Sequence, residues 1–106
     1  MRLAGPIIHP GEILADELNE MGVSASELAR AIAVPVNRVT QILNGQRGIS
    51  ADTALRLGQW FGSGPELWLD LQRDYELKSA EKEISDILNS IPHRPEHGLG
   101  EKFHCP

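Results

Sequence analysis

The sequence predicts an all-α domain of five helices. Three observations support this. Apolar residues recur at spacings of three and four along most of the chain, no stretch shows the two-residue alternation of a strand, and capping residues punctuate the pattern. The length of 106 residues suits one domain. Aromatics are only 5%, so the core must be built mainly from Leu, Ile, Val and Ala. The single cysteine, Cys105, leaves no intrachain disulfide and fits a reducing cytosol. No apolar run approaches the length needed to span a bilayer or to serve as a signal peptide.

Residues 1–10 contain two prolines and no period, and are expected to form an arm. The domain proper is expected over 11–91 and a disordered tail over 92–106. The first helix should run from Gly11 to Met21, with Ile13, Leu14, Leu18 and Met21 on one stripe and Gly22 as its stop. Ser24-Ala25-Ser26-Glu27 reads as a capping box that opens the second helix. Pro35 forbids continuation of that helix and leads into a third, which closes at Asn44-Gly45. Ser50 caps the fourth helix, to Phe61, with Ala54, Leu55, Leu57, Trp60 and Phe61 available for burial. Pro65-Glu66 starts the fifth, whose first stripe is Leu67, Trp68, Leu71 and Tyr75. That helix continues through Leu77, Ala80, Ile84, Ile87, Leu88 and Ile91 until Pro92 stops it.

Residues 25–44 fit a helix-turn-helix. Two short helices that cross steeply need a small residue where they approach, and Ala29 stands there. Leu28, Ile32, Val34, Val39 and Ile42 supply the inner faces. The turn needs one left-handed residue, usually glycine. Here it is Ala33, at a cost of about 1–2 kcal/mol.

The charge is unevenly spread. The net charge is −5, but residues 24–50, with Glu27, Arg30, Arg38 and Arg47, sum to +2. Residues 11–23 and 66–91 each sum to −4. The candidate reading surface is therefore the one substantial basic stretch of an acidic protein. Few basic groups per chain mean few phosphate contacts, so useful affinity for duplex DNA calls for two copies. The acidic flanks suit solvent or a basic partner protein.

With Val39, Ile42 and Leu43 turned inward, the third helix presents Val36, Asn37, Thr40, Gln41 and Asn44. Asn37 and Gln41 lie four apart on one face, and each can offer a paired donor and acceptor to adenine. Val36 can touch a thymine methyl. Arg38 can reach a guanine or a phosphate. Thr40 suits either, and Arg47 suits phosphate. The first turn of the second helix, near Ser24 and Ser26, can receive another phosphate.

These residues resemble the HigA, or VapI-like, antitoxin family within the Xre/Cro (lambda repressor-like) group of helix-turn-helix proteins. The resemblance covers residues 8–83. It rests on His9-Pro10-Gly11-Glu12-Ile13-Leu14, Met21-Gly22-Val23-Ser24, and the loop Asn44-Gly45-Gln46-Arg47-Gly48-Ile49-Ser50. Ala54-Leu55-Arg56-Leu57, Phe61-Gly62, Pro65-Glu66-Leu67-Trp68-Leu69, Leu71-Gln72 and Tyr75-Glu76-Leu77 complete it. The resemblance implies an operator-binding protein that represses its own operon and neutralises a small basic, mRNA-cleaving, HigB-like toxin. It also implies a bacterial cytoplasmic location, associated with the nucleoid. Val36 to Gln41 match the family's recognition helix. Ala25 departs from the broader group, which often places a phosphate-binding glutamine there. An orphan regulator without a toxin, and an interaction module that has lost DNA binding, are the alternatives.

No phosphate loop, nucleophile elbow or paired-carboxylate site stands out, so no enzyme, cofactor or metal is expected. His9 can cap or pack. His93, His97, His104 and Cys105 match no zinc spacing. Trp60 and Trp68 read as core residues joining helices four and five. The stripe from Leu77 to Ile91 can fold back on the domain, pair with a second copy as a homodimer, or dock the toxin; its length favours the homodimer.

Overall fold

The computed structural model describes residues 5–95. Five helices follow in order: α1 Pro10–Met21, α2 Ala25–Ala31, α3 Val36–Leu43, α4 Ala51–Phe61 and α5 Glu66–Ser90. Among the described residues there is no strand. Each helix lies within about one residue of where the apolar period and the caps place it. The expected tail beyond residue 95, with His97, His104 and Cys105, lies outside the described residues, as does the start of the arm.

Local chemistry sets the boundaries. His9 opens α1 one residue earlier than the sequence suggests. Its Nδ1 accepts from the Gly11 N–H at 2.9 Å, and the Glu12 carboxylate accepts from the His9 N–H at 3.3 Å. The His9 ring also meets Tyr75 of α5 edge-on, 4.8 Å between centroids. At α2 the capping box forms as expected. Ser24 Oγ accepts from the Glu27 N–H at 3.1 Å, and Glu27 accepts from the Ser24 N–H at 2.8 Å. Ser50 Oγ caps α4 through the Thr53 N–H at 3.3 Å.

The core gathers Leu14 and Leu18 of α1, Leu28, Ala29 and Ile32 around α2, Val39 and Ile42 of α3, Ile49, Ala54 and Leu57, and Trp68 of α5. Trp68 Nε1 is buried without a partner, a cost of about 1–3 kcal/mol set against the large apolar area of that ring. α2 packs on α3, α1 on both α3 and α5, and α4 on α5. The contact between α1 and α3 is a backbone approach. A Cβ on Gly11 would stand 1.9 Å from the Ile42 carbonyl oxygen, so only glycine fits.

Three apolar residues expected inside are exposed. Leu55 lies about 100° around α4 from the buried Ala54, and Leu67 stands off Trp68 of α5 in the same way. Met21 ends α1 beyond the core's reach. α5 removes one of the three readings of its apolar stripe. Its 25 residues extend about 37 Å at 1.5 Å per residue, more than the 30 and 21 Å of the molecule's shorter dimensions. Leu77, Ile84, Ile87, Leu88 and Ile91 are all exposed, so this stripe does not fold back on its own domain. The helix kinks at Ile84, where φ is −116° and ψ is 23°.

The two special backbone positions predict opposite effects. Gly11→Ala is expected to cost about 3 kcal/mol, because helix backbones must separate. Ala33→Gly is expected to stabilise by about 1 kcal/mol, because Ala33 holds a φ of 60°. Urea unfolding of the two variants beside the native chain measures both signs.

Candidate nucleic-acid interface

The turn between α2 and α3 sets the direction of α3. Ala29 is buried at the helix crossing, as its small size requires. Ala33 adopts the left-handed conformation expected of the turn. Its N–H donates to the Arg30 carbonyl at 3.3 Å, and the Val34 N–H donates to the Ala29 carbonyl at 3.0 Å. That pair is a Schellman closure with alanine where glycine is usual. Arg56 of α4 reinforces it by donating from one guanidinium nitrogen to the carbonyls of Ile32, at 2.8 Å, and Ala33, at 3.1 Å. Sequence reasoning missed Arg56. The available signal was its place four residues after Asp52, a favourable helical ion-pair spacing.

Asp52 joins α4 to α3. Its carboxylate accepts from Arg56 Nε at 2.9 Å and from Arg38 of α3 at 2.6 Å. Arg38, a candidate for guanine or phosphate, thus lies half-buried against α4 rather than in the outward row. It braces the back of α3.

The outward row is as the spacing places it. Val36, Asn37 and Asn44 are exposed, and Thr40 and Gln41 are half-exposed. Thr40 Oγ1 donates to the Asn37 carbonyl at 3.2 Å, which ties its hydroxyl to the helix. Arg47 Nε donates to Gln41 Oε1 at 3.0 Å. Arginine only donates, so the Gln41 oxygen must face Arg47 while its NH2 is turned elsewhere. A second lone pair on that oxygen is still compatible with adenine N6. At α2, the Ser24 hydroxyl and N–H are both used in the capping box, and Ser26 is exposed beside them. The Glu27 carboxyl is held below the ordinary glutamate range, first by the Ser24 backbone N–H and then by the Ser24 hydroxyl. Its negative charge stands where a phosphate was expected to approach.

α3 closes with a second Schellman motif. The Gly45 N–H donates to Ile42 at 3.0 Å and the Gln46 N–H donates to Gln41 at 2.8 Å, with Gly45 at a φ of 76°. This turns the chain so that Arg47 comes back beside Gln41. Among the described residues no group of His, Cys, Asp and Glu is arranged to hold a metal, and no helix is long and apolar enough to cross a membrane.

The Asp52 carboxyl is held below the usual aspartate range by hydrogen bonds from Arg56 first and Arg38 second. A carboxylate with a depressed folded pKa stabilises the fold fully above its unfolded pKa of about 3.9, and that contribution is lost as pH falls through the folded value. The stability advantage of the native chain over Asp52→Asn is therefore expected to be constant above about pH 5 and to shrink below about pH 4. Urea unfolding at stepped pH reads it; an advantage that grows on acidification contradicts this assignment.

A helix-turn-helix family model matches residues 14–68, which takes in α2, α3 and α4 whole. Virulence-associated protein I of Dichelobacter nodosus is 50% identical over 88 residues, covering 82% of each chain. The solved addiction-module antidote protein of the HigA family from Coxiella burnetii is 50% identical, with a TM-score of 0.80, over 89% of this chain and all of that one. The antitoxin HigA of Pseudomonas aeruginosa, solved with the higBA promoter, is 43% identical with a TM-score of 0.79, over 82% of this chain and 97% of that one. The matched segment contains the turn at Ala33 and the outward row of α3, and these likenesses extend through much of α5. The chain belongs to the HigA/VapI-like family of Xre/Cro-type helix-turn-helix proteins.

Proposed function

We propose that this protein is a sequence-specific DNA-binding antitoxin that represses its own operon and neutralises a small basic, HigB-like toxin. The observation that carries the reading is the outward face of α3. Val36, Asn37 and Gln41 project from a helix braced on its other sides, with Arg47 set beside Gln41. That is the form of a major-groove reader. The Pseudomonas HigA solved with promoter DNA supports it.

In the proposed complex, Asn37 and Gln41 contact base edges and Val36 meets a thymine methyl. Thr40 and Asn44 flank them, and Arg47 binds phosphate. Ser26 faces the backbone at the start of α2, with Ser24 as the cap that holds that turn. Arg38 orients α3 through Asp52 and is the nearest reserve cation for a phosphate. The protein acts as a homodimer through the exposed apolar stripe of α5, because reading two half-sites requires two α3 helices about one DNA turn apart. It works in the bacterial cytoplasm, on the nucleoid, by binding rather than catalysis.

Fluorescence anisotropy on DNA upstream of its own gene, with an unrelated duplex as control, tests the reading at two salt concentrations. Selective binding is expected. Asn37→Ala together with Gln41→Ala should weaken it by roughly 30-fold or more, since two base contacts at about 1–3 kcal/mol each sum to about 2–6 kcal/mol. Equal, weak affinity for both duplexes would contradict operator recognition and favour a protein-interaction role. Rescue of growth on co-expression with the basic protein of an adjacent gene tests the toxin half, and its absence points to an orphan regulator.

A further inference from the structure

Gln72 of α5 touches none of the residues assigned to DNA, yet it holds the loop that carries Arg47. Its Oε1 accepts from the backbone N–H of Ile49 at 2.7 Å. Ile49 is buried, and its N–H precedes α4, so without Gln72 it loses its hydrogen bond. The other end of the amide donates from Nε2 to Glu76 at 2.8 Å. The two contacts agree on one orientation. A flipped amide would set NH2 against N–H and oxygen against carboxylate. The loop also rests on this side chain sterically: a Cβ on Gly48 would lie 2.7–2.9 Å from three atoms of the Gln72 amide group.

The loop's other end is fixed by the Schellman bonds from Gly45 and Gln46 to α3. Arg47 lies between the two anchors, with its guanidinium on Gln41. We propose that Gln72, oriented by Glu76, is a positioning residue for DNA recognition: it latches the loop 44–50 so that Arg47 meets both the phosphate and Gln41. The proposal rests on the DNA-binding reading above. It assigns to α5 a part in recognition that is separate from its exposed apolar stripe.

The test uses the full chain with the same upstream duplex. Gln72→Leu removes the acceptor at similar size. Gly48→Ala pushes the amide away from the loop side. Gln72→Glu with Glu76→Gln exchanges the pair, keeping an acceptor for the Ile49 N–H and a donor between the side chains. Each of the first two is expected to weaken operator binding about tenfold and to speed hydrogen exchange at the Ile49 amide. In an Arg47→Ala background the further loss should vanish, because the effect passes through that residue. The exchanged pair should recover affinity to within about threefold of the native chain, by restoring both contacts. If the Gln72→Leu loss persists undiminished without Arg47 and tracks thermal stability, the role is structural and the proposal fails. If the native chain binds selectively and both variants bind equally well, only this proposal fails. If the native chain binds no duplex selectively, the DNA-binding reading fails and this proposal with it.

Discussion

The direction of α3 depends on the reversal at Ala33, a residue in the left-handed region with a φ of 60°. An L-residue costs about 1–2 kcal/mol there. Arg56 offsets that cost by donating to the two carbonyls the turn leaves facing outward, Ile32 and Ala33. Because Asp52 holds Arg56 and Arg38 together, the same cluster that closes the turn also fixes the back of α3 to α4. A shift of this turn would move Asn37 and Gln41 together, since both are carried on one rigid helix of eight residues.

The far end of α3 is held just as closely by different means. The Ile42 carbonyl lies against Gly11 with no room for a side chain, and the Schellman closure at Gly45 turns the chain back on itself. Gln72 then receives the loop from α5. The result is a short helix fixed at its start, back and end, with its outward row left to solvent. Preorganisation of this kind reduces the ordering cost on binding. It matters here because the reading segment carries a charge of only +2 within a chain of −5. On the proposed reading there is little general attraction to DNA, and affinity would have to come from well-placed contacts and from two copies acting together.

Much of this was legible in the sequence, and the reason is locality. Capping boxes, stop glycines and prolines act within four residues, so Ser24-Glu27, Ser50, Gly22 and Gly45 mark their boundaries directly. Ala29 and Ala33 could be placed because the helix-turn-helix fixes their spacing. What stayed hidden runs between distant segments. Arg56 reaches back 24 residues to Ile32, and Gln72 reaches back 23 to Ile49. A polar residue in an amphipathic helix gives no sign of such a partner. Arg38, offered by the sequence to guanine or phosphate, shows the same limit, since its pairing is decided by Asp52 fourteen positions away. Leu55 and Leu67 show the complementary limit: each is apolar beside a truly buried neighbour, and the period alone could not separate them.

The central claim is that α3 enters the major groove, and groove-specific chemical footprinting measures this directly. Dimethyl sulfate methylates guanine N7 in the major groove and adenine N3 in the minor groove. On the upstream DNA the protein should protect guanine N7 in two patches about 10 base pairs apart, or a multiple of that, while adenine N3 stays reactive within them. Protection confined to adenine N3, or selective binding with no guanine N7 protection in a G·C-containing site, would contradict major-groove reading by α3.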